Sequence, residues 1–237
     1  MIIGLVILLL LLLLTYNQLW VVIGSQEGNT LNTSFIWYLL LGEIIILSPP
    51  RVDRILTEDV KTGTMAYYLN KPVSFFLMRL SEAAGSMSVL FVYLITIGSL
   101  TVYLITGGTP FALEFLPIII IMCYLSCLIN IYIKSVVGLC AIWFNSTRTL
   151  ILVIDRLAFI FGGAIFPLTI YPDWFVAIAK FTPFYSFYYL TIRLVYAFSW
   201  ENLLYALSLN IFWILIISVL IKIAYGKLSR KVNIYGG

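Results

Sequence analysis

Long apolar runs, broken by short polar stretches, organise this chain. Six runs stand out, at 2–23, 33–49, 84–106, 115–142, 149–170 and 203–224. A helix of about 20 apolar residues crosses the roughly 30 Å of hydrocarbon in a bilayer. Inside lipid each segment must satisfy its own backbone polar groups, so the helix is the form such runs take. The second run is short and stops at Pro49-Pro50; the fourth is longer than a crossing requires. The predicted fold is all-α: a polytopic membrane protein with six transmembrane helices plus short re-entrant or interfacial helices on the outer side. A single transmembrane domain occupies 1–237.

Composition supports this and narrows the chemistry. Residues from the set AVILMFWYC make up 62% of the chain, only 10% are charged, and the mean hydropathy is +1.08. A soluble domain would be about 45–50% apolar and about 25% charged. The 14 Lys and Arg against 10 Asp and Glu leave a net charge of +4, too mild for a nucleic-acid binder. Histidine is absent, which removes imidazole acid–base work, His metal sites and Ser/His or Cys/His nucleophile pairs. Cys123, Cys127 and Cys140 show no C-x-x-C spacing and sit in apolar surroundings, so they read as small buried hydrophobes rather than a metal or disulfide framework. No G-x-x-x-x-G-K-[ST], H-E-x-x-H or G-x-S-x-G occurs. The chain is therefore expected to be no enzyme and to carry no cofactor. The first run lacks a charged n-region, which argues against a cleaved signal peptide.

Basic residues orient the spans. With the N-terminus in the cytoplasm, loop 50–83 carries Arg51, Arg54, Lys61, Lys71 and Arg79, turn 143–148 carries Arg148, and the tail carries Lys227, Arg230 and Lys231. Only Lys180 and Arg193 fall outside. The positive-inside rule then places both termini in the cytoplasm.

Two segments between spans have room for a function. Segment 50–83 is mixed in sign, and Gly63 splits it into two short helix candidates. It is a cytoplasmic connector or a docking surface held close to the membrane. Segment 171–202 is crowded with aromatic residues and punctuated by Pro172 and Pro183. Amphipathic rings favour the headgroup level, so this stretch reads as one or two interfacial or re-entrant helices.

Charges inside spans mark the places where chemistry is expected. Glu43 lies near the middle of the second span with no basic residue on its own helix at that depth. It reads as lining a polar path or as an internally hydrogen-bonded group. Asp155 lies two turns into the fifth span, near the depth of Lys134 on the fourth, and a pair between them across two helices is expected.

Two stretches then carry a family resemblance. One runs Glu58-Asp59-Val60-Lys61-Thr62-Gly63 and on through Leu69 to Lys71-Pro72-Val73-Ser74, with Arg79, Glu82 and Gly85 following. The other runs Gly162-Gly163-Ala164-Ile165-Phe166-Pro167-Leu168, then Tyr171-Pro172-Asp173-Trp174 and Thr182-Pro183-Phe184. In this order on six spans, they resemble ABC-2 type permeases, the transmembrane subunits of ABC transporters. The likeness departs at the N-terminus, where the family often has an amphipathic helix and Met1 here opens almost directly into the first apolar run, and at Thr191, where a second proline would be expected.

The resemblance implies an ATP-driven exporter in a bacterial plasma membrane. Asp59, Lys61, Gly63, Lys71 and Pro72 would be the elements coupling it to a separate nucleotide-binding ATPase subunit, which would hold ATP and Mg. Six spans are half of the usual complement, so a second permease copy or a sibling permease is the implied partner, together with membrane lipids. Pro167, Pro172, Trp174, Pro183 and Phe184 would form an outer gate, and Glu43 and Asp155 would line the translocation path. Few buried charges and an aromatic gate suit amphipathic cargo such as lipids, drugs or hydrophobic peptides. An ATP-independent transporter or channel, and a membrane scaffold or immunity protein, are the competing classes.

Overall fold

The computed structural model describes residues 2–23, 30–69, 74–144, 147–164 and 168–235. Among these the chain is 84% helix with no strands. Helix α1 spans Ile2–Ile23 and coincides with the first expected span. Helix α2 spans Thr30–Leu47, and the bend at Ser48-Pro49 ends it where Pro50 forces an extended backbone. Two short helices follow, α3 at Val52–Lys61 and α4 at Thr64–Leu69. The long α5 (Phe75–Thr106) and α6 (Leu116–Leu139) come next, then α7 at Arg148–Phe161 and α8 at Asp173–Ala179. A π-helical stretch at Tyr185–Leu190 runs into α9 (Thr191–Arg193), and α10 (Trp200–Tyr235) closes the chain. Four stretches are long and apolar enough to cross a membrane: Thr33–Lys61, Phe75–Thr106, Leu113–Leu139 and Trp200–Gly226.

Helix α2 is the centre of the bundle. Every residue from Phe35 to Ile45 is buried, and α2 packs against α1, α5 and α6. A helix that is apolar around its whole circumference has no polar stripe to keep in water, so enclosure on all sides is its stable position. Helices α5 and α10 lie at the periphery, with Leu100, Leu104, Leu204 and Leu215 exposed. These are the surfaces that lipid tails would cover.

The structure revises several expected boundaries. The third span begins at Phe75 rather than 84, because Ser74 caps it, its Oγ accepting from the Leu77 N–H at 3.4 Å. Its first turns run through the charges that made residues 75–83 read as loop. The fifth shows the largest difference: within the expected span 149–170 the α-helix is Arg148–Phe161, and a separate 3-10 turn covers Leu168–Ile170. Gly163 adopts φ +64°, and the Ala164 N–H bonds back to the Phe159 carbonyl at 3.0 Å. This is a Schellman stop, which glycine makes without the steric cost other residues carry. At 1.5 Å per residue the 14 residues of α7 reach about 21 Å, short of a full crossing.

Candidate functional site

Helices α3 and α4 form an elbow between the second and third apolar runs. Gly63, at φ +74°, turns the chain between them. Helix α3 is amphipathic: Val52, Leu56 and the partly buried Val60 recur every four residues on the side that meets α6. Gly138 of α6 provides the seat. A Cβ there would lie 2.8 Å from the Leu56 Cβ and 3.1 Å from the Asp53 backbone, so only glycine lets α3 approach this closely.

Two polar ties hold the elbow in place. Arg79 of α5 grips Asp59 with both prongs, Nε to Oδ2 at 2.8 Å and Nη2 to Oδ1 at 2.7 Å. Its Nη1 reaches Glu82 at 2.8 Å. The Thr57 and Thr147 hydroxyls share a hydrogen bond of 2.7 Å that joins α3 to the foot of α7. At the start of α3, Arg51 bonds Asp53 at 3.3 and 3.4 Å. Arg54, Ile55, Glu58, Lys61, Gly63 and Tyr67 form the exposed side of the elbow.

Of the residues expected to couple to an ATPase, Lys61 and Gly63 are exposed, whereas Asp59 is buried in its pair with Arg79. Asp59 therefore anchors the elbow from behind. Lys71 and Pro72 lie outside the described residues. Sequence reasoning missed Arg54 and Ile55. The signal was present for Arg54, which lies two residues from both Val52 and Leu56 and so about 200° around the helix from that apolar stripe.

The aromatic segment divides in two. Helix α8 is superficial: Pro172 precedes it in extended conformation, and Trp174, Ile178 and Phe181 are exposed around it. Phe175 stacks on Phe161 at 5.3 Å and on Tyr171 at 4.9 Å, tying α8 to the end of α7. Residues Phe184 to Ile192, by contrast, are all buried. An interfacial position was one of the two readings of this stretch, and the structure places it in the bundle interior. The Tyr188 hydroxyl donates to the Gly42 carbonyl at 2.6 Å, and Thr191 shares a 2.9 Å hydrogen bond with Ser126 on α6. Enclosed by α2, α6 and α10, these hydroxyls need protein partners, and they find them. Tyr188→Phe should lower stability by about 1 kcal/mol, read as a lower melting midpoint of the purified protein, while Tyr103→Phe on the exposed face of α5 leaves it unchanged.

A small cavity of about 10 Å³, room for one water, lies where this segment meets α2, α6 and α7. Asn130, Asp155, Phe159, Phe184 and Tyr188 contribute to its wall. The structure thus brings together Phe184, expected at an outer gate, and Asp155, expected on a path. Trp174 is not among the lining residues, Pro183 precedes the buried stretch, and Pro167 lies outside the described residues. Glu43 is 8% exposed, and among the described residues no hydrogen bond or ion pair reaches its carboxylate. The expected Lys134–Asp155 pair is not formed within 4.0 Å. Lys134 is instead 4% exposed on α6, between the cavity and the seat of the elbow.

A buried central helix, peripheral apolar helices and a polar elbow tied to three of them describe a multi-pass helical membrane protein. A family model described as ABC-2 family transporter protein matches residues 2–236, and the chain belongs to that family. Its members are permease subunits, and the family in general implies an ATPase partner subunit. No curated protein and no solved structure matches the chain.

Proposed function

We propose that the chain is the transmembrane permease subunit of an ATP-driven ABC-2 type exporter. It is a multi-pass protein of a bacterial plasma membrane with both termini in the cytoplasm, and it shares its path with a second copy or a sibling permease. A separate nucleotide-binding subunit, holding ATP and Mg, supplies the work. The observation that carries this reading is the elbow: a rigidly seated, amphipathic helix–turn–helix whose exposed side mixes Arg54, Glu58 and Lys61 with the apolar Ile55. An exposed apolar residue rimmed by both charge signs suits docking in a partner's groove.

The buried stretch Phe184–Ile192 serves as a re-entrant plug, with Pro172, Trp174 and Pro183 at its outer approach. Glu43 and Asp155 supply the polar positions of the path. Its otherwise apolar and aromatic surroundings favour an amphipathic cargo, a lipid, drug or hydrophobic peptide.

Affinity purification of the tagged chain in mild detergent tests the proposal. The expected result is an attached subunit that hydrolyses ATP. Ile55→Asp combined with Lys61→Glu should reduce that subunit at least about tenfold, the loss expected when a docking anchor is removed, while membrane insertion stays normal. Recovery of the chain with no ATP-hydrolysing companion, or uphill transport by the chain alone in liposomes, would overturn it.

A further inference from the structure

The polar groups behind the elbow are in register along one face of α6. Asn130, Lys134 and Gly138 are spaced four residues apart, so each lies about 6 Å along the helix from the next. Gly138 abuts the backbone of Asp53 on α3. Asn130 lines the same cavity as Asp155 of α7. Lys134 therefore sits midway between two carboxylates on two other helices, one turn from the contact level of each.

Its circumstances are unusual for a lysine. It is 4% exposed, yet no carboxylate lies within 4.0 Å of its ammonium among the described residues. Asp53 is only 2% exposed, and its recorded ion-pair partner is Arg51, stretched to 3.3 Å and itself 60% exposed. A buried ammonium and a buried carboxylate one helical turn apart each gain from closing the gap. The flexible four-carbon stem of lysine allows its charge to move between partners without displacing the helix that carries it.

We propose that Lys134 is a positioning residue that passes movement of the elbow to α7, by exchanging its ion pair between Asp53 and Asp155. With Asp53 as partner, α3 is locked onto α6. With Asp155 as partner, α6 is locked onto α7, Asp53 keeps only Arg51 of its own segment, and α3 loses its ionic tie to α6 while Arg79 and Thr147 still hold it. Each arrangement leaves one carboxylate without the ammonium, so neither is overwhelmingly preferred, and a push on the elbow tips the balance. The Thr57–Thr147 hydrogen bond keeps α3 near the foot of α7, so the swing is largest further along α7. The inference rests on the permease reading for the source of the push, but the exchange itself requires neither nucleotide nor partner.

The test uses the purified full chain in lipid nanodiscs without ATP. Cys140→Ser removes the one cysteine that is not fully buried, and nitroxide labels are placed at the exposed positions Glu58 on α3 and Leu152 on α7. Pulsed electron resonance should show two label separations. Asp155→Asn should shift their ratio about tenfold one way and Asp53→Asn about tenfold the other way, within the usual range of coupling between sites. Lys134→Met should leave a distribution that neither carboxylate change alters. Should that variant not fold, the two near-isosteric carboxylate variants decide alone. Shifts in the same direction, or an unchanged distribution in both, would overturn the exchange, whereas the permease reading stands or falls separately with the affinity purification.

Discussion

Gly138→Ala should loosen the elbow from the bundle, and Gly138→Leu should unseat it. The alanine Cβ would stand 2.8 Å from the Leu56 Cβ and 3.1 Å from the Asp53 backbone. The conflict is with main chain and a first side-chain carbon, not with the mobile end of a side chain, so it can be relieved only by moving α3. Overpacking of this kind costs about 1–3 kcal/mol for a single methyl. A leucine adds three further carbons at a place with no room for the first, and most of the α3–α6 contact should be lost. The melting midpoint of the purified protein gives the cost, and protease cleavage within 52–69 reports release of the elbow. Gly85→Ala, on an exposed turn of α5 with nothing within 4 Å, is the matched control and should be neutral or mildly stabilising. A Gly138→Ala protein as stable as the control would show that α3 is not seated against α6 at this point.

The sequence disclosed the helices through a single strong signal, uninterrupted apolar length. It was reliable wherever that length alone decides the structure, as at α1, α2 and α6. It failed where one local rule outranked it. The run 149–170 is apolar throughout its second half, yet Gly162-Gly163 ends α7 because the left-handed turn at Gly163 completes a helix stop that hydropathy does not register. Similarly, Arg79 and Glu82 made the start of α5 read as loop, although Arg79 is satisfied by Asp59 and helix costs it nothing. For the site, the elbow and its turn at Gly63 were legible from charge and from one glycine. The inward direction of Asp59 was not, because its partner lies twenty residues away on another helix. The aromatic stretch 184–192 could not be assigned a depth from composition, since rings suit a lipid interface and a packed interior equally well. What decided it was the pairing of Tyr188 with Gly42 and of Thr191 with Ser126, contacts between helices remote in sequence.

Breaking the Arg79–Asp59 pair should have opposite severity depending on which partner is removed. Arg79→Met leaves the Asp59 carboxylate, 8% exposed, with neither of its two guanidinium hydrogen bonds. A buried charge stripped of its counter-ion typically costs about 3–5 kcal/mol. Asp59→Leu leaves Arg79 at 21% exposure and still bonded to Glu82, so its charge keeps a partner and access to water. That loss should be much smaller, about 1–2 kcal/mol, the value of charge-assisted hydrogen bonds given up without stranding their donor. The double variant Asp59→Leu/Arg79→Met should recover most of what Arg79→Met alone loses, because no isolated charge remains. Melting midpoints of the four proteins complete the cycle, and the coupling between the two sites isolates the pair itself. Equal and small effects of both single variants would mean that the pair behaves as a solvated surface contact and that α3 is not anchored to α5. The asymmetry also bears on function: a partner pressing on Lys61 and Ile55 from outside would push against a helix whose rear is fixed by a bidentate bond to the first turns of α5, so force on the elbow reaches a crossing helix directly instead of being spent in bending a loop.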